Sequence, residues 1–165
     1  MEKINKLNPN LTKITQGALI AALYAALTVI FAPISFGMMQ VRVAEVLTVL
    51  PMFTPAAVPG LFVGCIIANL FGGAAVPDII FGSIATLIGA AGSLLLRKNR
   101  WLVPLPPIAA NTVIVPFVLR YAYGVEGALP VLAMFVAAGE IISCYLLGEL
   151  LISALLRIKA VKPPQ

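Results

Sequence analysis

Long apolar runs, separated by short segments that hold most of the charge, are the feature that most limits how this sequence can fold. Hydrophobic residues make up 61% of the 165 positions and charged residues 10%, against about 45–50% and about 25% in soluble domains. Because a soluble core cannot bury that much apolar surface, the sequence predicts an integral membrane protein. One helical crossing needs about 20 residues, so the chain has room for about six crossings and for no soluble domain.

The apolar runs between turn signals predict an all-α fold, with one transmembrane domain over residues 1–165. The six predicted helices lie near residues 14–34, 41–55, 57–74, 77–96, 102–121 and 127–156. The second is short for a crossing, and Pro51, Pro55 and Pro59 interrupt its end and the start of the third. Because proline removes a backbone donor, we expect these two helices to be bent or to meet in a tight hairpin.

Three basic clusters predict the orientation of the helices. They are Lys3, Lys6 and Lys13 before the first helix, Arg97, Lys98 and Arg100 after the fourth, and Arg157, Lys159 and Lys162 after the sixth. With six helices all three clusters lie on one side of the membrane, whereas an odd number would split them. Since cytoplasmic loops carry the excess of lysine and arginine, we predict a multi-pass protein with both termini in the cytoplasm.

Few ionisable residues lie within the apolar runs, and such residues usually face a cavity or a partner because they are costly in lipid. Arg42 and Glu45 begin the second helix three residues apart, where they can form an ion pair or contact a ligand. Asn69 ends the third helix and Asp78 begins the fourth. The predicted topology therefore brings four polar side chains from three helices to one depth near the outer side.

Two further polar residues lie deeper in the predicted bundle. Glu140 is about 20 Å along the sixth helix, near the membrane midplane, and Asn111 is on the fifth. A carboxyl group at that depth must be neutral or paired, and Asn111 is a plausible hydrogen-bond partner. The two residues either pack the helices together or bind a ligand, and we favour the ligand. A carboxylate suits a ligand with adjacent N–H donors, and an amide offers a donor and an acceptor.

The same residues limit the possible chemistry. Histidine is absent, and Cys65 and Cys144 lack paired spacing, so we expect no metal or redox site and assign both cysteines to packing. No glycine-lysine phosphate loop is present, so we expect no cofactor in this chain and assign any use of ATP to partner subunits. An enzyme using Glu140 or Asp78 lacks an activated nucleophile. A midplane carboxyl group also suits a proton-coupled carrier.

Small residues recur every four positions along the first helix, at Ala18, Ala22 and Ala26. Such spacing lets another helix approach closely, because helix association in lipid depends on backbone proximity and van der Waals contact. The spacing fits internal packing and an interface with another subunit equally well.

Several polar motifs, in their order along the chain, resemble the QueT family of queuosine-precursor transporters. The segments are APISFGMMQVRVAEVLTVLP from Ala32, GLFVGCIIANLFGG from Gly60, DIIFGSIATL from Asp78, PLPPIAAN ending at Asn111, and GEIISCYLLGE from Gly139. The family belongs to the substrate-binding S components of energy-coupling factor (ECF) transporters. The resemblance extends from the first helix to the sixth.

The resemblance implies a six-helix S component in a prokaryotic cell membrane that binds its solute near the outer face. It also implies association with a transmembrane coupling subunit and two cytoplasmic ATPases, which use ATP to reorient the S component. In S components the alanine stripe of the first helix contacts the coupling subunit, which here implies Ala18, Ala22 and Ala26. The first outer loop, from Phe36 to Gln40, is expected to cover the solute with Met38 and Met39.

The solutes implied are 7-deazaguanines, such as 7-aminomethyl-7-deazaguanine or queuine, with another heterocycle or vitamin as the alternative. Glu140 is the first choice for the ring N–H and exocyclic amine of a guanine-like edge. Glu45 or Asp78 are alternatives for that edge or partners for an aminomethyl ammonium, and Phe36 or Phe81 are candidates to stack on the base. The candidate solute-binding residues are Glu140, Asn111, Asp78, Asn69, Glu45, Arg42, Gln40 and Phe36.

Overall fold

Helices form every regular element of the part of the chain that the structure describes. The computed structural model describes residues 8–35 and 41–158. In chain order its elements are α1 (Pro9–Ile30), α2 (Ala32–Ser35), a 3₁₀ helix (Val43–Met52), α3 (Ala57–Phe71), α4 (Val76–Leu95), α5 (Leu105–Tyr121), α6 (Leu129–Glu140), a π segment (Ile141–Leu147) and α7 (Gly148–Arg157). The all-α prediction is confirmed, and most predicted helix ends lie within a few residues of the observed ones.

Three helices are long and apolar enough to cross a membrane. They are α1, α4 and the continuous helix Leu129–Arg157, which contains α6, the π segment and α7. The 3₁₀ helix, α3 and α5 are also apolar but shorter. The structure thus confirms an apolar helical bundle with at least three candidate spans among the described residues, and six crossings remain a prediction.

The second predicted helix, over residues 41–55, differs most from expectation. The observed element is a ten-residue 3₁₀ helix, which at about 2.0 Å per residue extends about 20 Å and is shorter than the roughly 30 Å hydrocarbon layer. Pro51 inside this element has no amide hydrogen to close an α-helical bond. In addition, the Glu45 carbonyl accepts hydrogen bonds from the Thr48 hydroxyl and the Cys144 thiol.

The 3₁₀ helix lies inside the bundle, and its position decides where the polar residues meet. Helices α1, α3, α4, α5 and α6 pack as successive neighbours in the order α1–α3–α4–α5–α6. The 3₁₀ helix contacts α1, α3, α4, the π segment and α7. Side chains on this short helix therefore reach residues from both ends of the chain.

Helices α1 and α3 approach each other closely at Gly64. A Cβ atom at this position would lie 2.9 Å from the Ala21 Cα and 2.9 Å from the Tyr24 Cβ, both on α1. Because glycine lacks that atom, the two backbones can pack in direct contact. The close contact fixes Tyr24 against the interior, where it is fully buried.

The π segment begins immediately after Glu140. Its i→i+5 hydrogen bonding is rare in proteins and often occurs at functional sites. Here it interrupts the helix Leu129–Arg157 and contains two buried polar residues, Ser143 and Cys144. The break in helical periodicity sets the direction of Glu140 relative to the side chains of α7.

An ion pair links the α4–α5 connection to α7. Arg100 Nη2 and Nε donate to Glu149 Oε2 at 2.6 and 3.1 Å, and Nη2 also donates to the Ser153 hydroxyl at 3.1 Å. The Arg100 guanidinium lies 4.6 Å from the centre of the Trp101 ring. Glu149, at this end of the bundle, is therefore occupied by a structural contact.

Candidate functional site

Arg42, Asn69 and Asp78 meet in the interior, as the sequence predicted. The Arg42 side chain donates from Nη2 to Asn69 Oδ1 at 3.1 Å and to Cys65 Sγ at 3.5 Å. Asn69 Nδ2 donates to the Asp78 carbonyl oxygen at 3.3 Å. All three residues are at most 2% exposed, so a guanidinium, an amide and a carboxyl group share one enclosed region.

Of the two alternatives for Arg42 and Glu45, an ion pair or contact with a ligand, the ion pair is not formed. Among the described residues, the side chains of Arg100 and Glu149 form the ion pair found within 4.0 Å. Arg42 precedes the 3₁₀ helix with a backbone ψ of 89°, so the helical three-residue spacing that would align the two side chains does not apply. Glu45 instead lies beside Glu140 and Cys144.

Glu45 is fully buried and is oriented by hydroxyl groups from two other helices. Its Oε1 accepts a hydrogen bond from the Tyr24 hydroxyl at 2.5 Å and from the Thr86 hydroxyl at 3.3 Å. Its Oε2 has no hydrogen-bond partner among the described residues. The carboxyl group is therefore fixed on one oxygen and open on the other.

Glu140 meets Glu45 in the centre of the cluster. One carboxyl oxygen of each and the Cys144 sulfur lie within 4.8 Å of one another, and the Cys144 thiol is 3.1 Å from Glu140 Oε2. Three such donor atoms are close enough to hold a metal ion. The expected absence of a metal therefore stays a prediction, and elemental analysis of the purified protein can test it.

Asn111 lies beside Glu140, close enough that their side chains can form the predicted hydrogen bond, but the contact lacks good hydrogen-bond geometry. Neither the oxygen nor the nitrogen of the Asn111 amide has a hydrogen-bond partner among the described residues, although the residue is 0% exposed. A buried amide without partners costs about 1–3 kcal/mol. The amide is therefore available to a ligand.

Other buried polar atoms around the cluster also lack partners within residues 8–35 and 41–158. They include Arg42 Nε, Glu45 Oε2, Asp78 Oδ1 and the hydroxyls of Ser83 and Ser143. Most buried polar groups in proteins are hydrogen-bonded, so a concentration of unpartnered ones needs an explanation. Both donors and acceptors are present, which suits binding of a polar, uncharged ring better than binding of a simple ion.

Asp78 connects the cluster to the loop between α5 and α6. Its Oδ2 accepts a hydrogen bond of 2.9 Å from the Tyr123 hydroxyl, which itself accepts one of 3.1 Å from the Ala75 amide. Partial burial raises the pKa of the Tyr123 hydroxyl above its ordinary value, so it remains a donor at neutral pH. Gly82 leaves space for Asp78, because a Cβ there would lie 2.7 Å from Oδ1.

Replacing Tyr123 with phenylalanine should lower the free energy of unfolding by about 1 kcal/mol, because one net hydrogen bond is lost. Thermal unfolding of the purified protein measures the change. Tyr121→Phe is the matched control, since Tyr121 is 74% exposed. Equal stability of the two variants would show that the Tyr123–Asp78 bond does not hold the loop.

Other predicted residues lie outside this cluster. Phe81 is 51% exposed and lines an apolar groove between α4 and α5, so it lies apart from the polar cluster, and its stacking on a base stays a prediction. Phe36, Met38, Met39 and Gln40 lie outside the described residues. Ala18, Ala22 and Ala26 are all exposed, whereas Ala21 and Tyr24 on the same helix are buried, so internal packing does not account for the alanine stripe.

Sequence reasoning missed several members of the cluster. Cys65, Thr86 and Cys144 were assigned to packing or to no role, yet each contacts a predicted residue. Cys65 is four residues before Asn69, and Cys144 is four residues after Glu140. Residues four apart lie on the same face of a helix, so this spacing is a sequence signal for both cysteines. Tyr24, on a different helix from its partner Glu45, has no comparable local signal.

The fold and the cluster together define a helical membrane protein with an enclosed polar site, the architecture expected of a small-solute transport protein. A family model described as QueT transporter matches residues 14–157. The chain therefore belongs to the QueT transporter family. No curated protein and no solved structure matches the chain. The family assignment agrees with the expectation that the protein is not an enzyme.

Proposed function

We propose that this protein is the substrate-binding S component of an ECF importer and that it captures a 7-deazaguanine at the outer face of the cell membrane. The single observation that carries the proposal is the enclosed cluster of unpartnered donors and acceptors around Glu140 and Asn111, in a member of the QueT transporter family. ATP is used by partner ATPase subunits, and both termini face the cytoplasm.

The chemistry of the cluster supports a guanine-like solute. The edge of a 7-deazaguanine carries a carbonyl oxygen, a ring N–H and an exocyclic amine in a row. Glu140 and Asn111 offer acceptors and a donor beside each other, which are the groups needed to bind such an edge. Glu45 and Asp78 each add a free carboxyl oxygen, and either can accept a hydrogen bond from an aminomethyl group of the solute.

A second candidate is a self-sufficient proton-coupled carrier. The close approach of Glu45 and Glu140 favours it, because intramembrane carboxyl groups serve in proton relays. Uptake assays separate the two candidates. Solute accumulation by liposomes that contain this chain alone, driven by a proton gradient, would support the carrier, whereas a requirement for ATP and partner subunits supports the S component.

The experiment that tests the proposed solute is calorimetric titration of the detergent-purified protein. The panel contains 7-aminomethyl-7-deazaguanine, its nitrile analogue, queuine and guanine, with riboflavin as the negative control. We expect saturable binding of at least one deazaguanine at micromolar concentration or below. If a folded sample binds no member of the panel, the proposed solute class is contradicted. Binding of riboflavin or another vitamin would assign that vitamin as the solute.

Replacing Ala22 with tryptophan should prevent assembly with the coupling subunit while leaving solute affinity unchanged. Ala22 is exposed on α1, and a large side chain there would hold a partner helix away from the stripe. Copurification with coexpressed ECF subunits and solute titration provide the two readouts. Ala109→Trp is the matched control, because Ala109 is an exposed alanine on α5. Loss of solute binding together with assembly would indicate general damage to the fold.

A further inference from the structure

Two buried carboxyl groups without a cationic partner lie at the centre of the site. Glu45 is 0% and Glu140 1% exposed, and their nearest carboxyl oxygens are within 4.8 Å of each other. No lysine or arginine nitrogen in residues 8–35 and 41–158 lies within 4.0 Å of either. Arg42 is close enough to act electrostatically on both, but its guanidinium donates to Asn69 and Cys65.

Such a pair cannot hold two negative charges easily. Carboxylates in a shared, poorly solvated site repel each other strongly, so one of them keeps its proton, as in the paired aspartates of aspartic proteases. The other titratable or charged side chains around the pair are Tyr24 on α1, Arg42 before the 3₁₀ helix, Cys65 on α3 and Cys144 in the π segment. Helix α4 contributes the neutral side chain Thr86 and, on the far side of Arg42, the carboxyl group of Asp78, and α5 contributes the neutral side chain Asn111.

The hydrogen bonds decide which residue keeps the proton. Glu45 accepts two hydroxyl donors on Oε1, and its 2.5 Å contact with Tyr24 has the length expected of a hydroxyl bonded to a carboxylate. Such donors favour the ionised form. The neighbours of Glu140 are the Cys144 thiol, at 3.1 Å, which is a weak donor, and the Asn111 amide, whose contact lacks good hydrogen-bond geometry. The negative charge is therefore better stabilised on Glu45.

We propose that Glu45 and Glu140 share a single proton, held on Glu140, and that Glu140 binds the solute as a neutral acid. A neutral carboxyl group presents one O–H donor and one C=O acceptor, which match a lactam, a ring carbonyl next to a ring N–H. The proton stays on Glu140 and is donated in a hydrogen bond to the solute carbonyl. The neighbouring unpartnered amide of Asn111 adds the same donor and acceptor pair, so both groups recognise a neutral ring.

The contact of Glu140 with the solute rests on the proposed function, and it changes the hydrogen bonds assigned to Glu140 there. Glu140 accepts one N–H and donates to one carbonyl, instead of accepting two N–H groups. The part of the inference that concerns the proton does not depend on any solute. Two experiments therefore test the two parts separately.

Infrared spectroscopy of the solute-free protein tests the proton. A protonated carboxyl group gives a C=O stretching band that shifts when hydrogen is exchanged for deuterium. At neutral pH we expect this band in the wild-type protein, its loss in Glu140→Gln and a smaller band in Glu45→Gln, where Glu140 no longer has an ionised neighbour. Glu149→Gln, which alters a carboxyl group outside the cluster, should retain it.

Absence of a difference between wild type and Glu140→Gln would overturn the shared proton. If either variant fails to fold, the wild-type protein alone provides the test. Its band should disappear as the pH is raised while the helical circular dichroism signal remains. A carboxyl band that is missing from the wild type at neutral pH, or a stoichiometric metal ion in the purified protein, would contradict the proposal.

Titration with 7-cyano-7-deazaguanine, which lacks the basic aminomethyl group, tests the neutral-acid contact. Glutamine presents the same donor and acceptor pair, so Glu140→Gln should retain affinity within about threefold, whereas Glu140→Leu should lose at least tenfold. If both variants fold and lose the same amount of solute affinity, Glu140 does not bind as a neutral acid. The proposed function would not be affected by that result. If the wild type binds no member of the solute panel, the solute assignment fails and the infrared result alone decides the shared proton.

Discussion

Replacing Asn111 with leucine should weaken solute binding by at least tenfold and at the same time leave the solute-free protein equally or more stable. The two side chains have the same branched arrangement of four heavy atoms, so most of the packing is retained. Removing a buried amide that has no partner in the described structure relieves a cost of about 1–3 kcal/mol. The bound state loses the hydrogen bonds that the amide would make to the solute, each of which contributes about 0.5–1.5 kcal/mol.

Calorimetric titration and thermal unfolding measure the two effects on the same sample. Thr112→Val is the matched control, because the Thr112 hydroxyl on the next residue of α5 also lacks a partner but is not part of the Glu45–Glu140 cluster. We expect Thr112→Val to keep its affinity. If Asn111→Leu instead lost stability and kept its affinity, Asn111 would be a helix-packing residue and not part of the binding site.

Replacing Gly64 with valine should lower the free energy of unfolding by about 3 kcal/mol, at the upper end of the usual range for overpacking. The added Cβ would lie 2.9 Å from backbone atoms of Ala21, and backbone cannot rotate away as a flexible side chain can. Helix α1 must therefore move outward. Because Tyr24 is on this part of α1, its hydrogen bond to Glu45 should be lost with the contact.

Thermal unfolding and the yield of monodisperse protein measure the effect. Val63→Ile provides the control, since Val63 is the preceding residue of α3 and is 44% exposed; its variant should unfold at the wild-type temperature. A Gly64→Val protein of wild-type stability would show that α1 and α3 are not held in backbone contact.

The sequence predicted the helices well because hydropathy and prolines encode where apolar segments begin and end. The predicted range 77–96 differs by one residue at each end from Val76–Leu95. It did not predict the 3₁₀ helix or the π segment. A pattern of apolar residues shows that a segment is buried, but the choice among i+3, i+4 and i+5 hydrogen bonds depends on contacts with other helices, such as those of the Glu45 carbonyl.

The sequence also identified most polar members of the site, because ionisable residues in apolar segments are rare. Arg42, Asn69 and Asp78 meet as predicted, whereas Glu45, which was grouped with them, lies beside Glu140. The partners within each group were not predictable. Arg42 and Glu45 are close in sequence and attract each other, yet the backbone before the 3₁₀ helix directs them to different neighbours. The role of Tyr24 depends on the packing of α1 against α3, which the sequence does not specify.

Helix α1 has two surfaces of different character. Ala22 and Ala26 face outward, while Tyr24, between them in sequence, points inward to the Glu45 carboxyl group. A helix of this length turns as a stiff rod, so any partner that rotates its outer surface also moves the Tyr24 hydroxyl. If a coupling subunit docks on this stripe, as proposed above, its movement would be transmitted through one helix to the donor that orients the Glu45 carboxyl group.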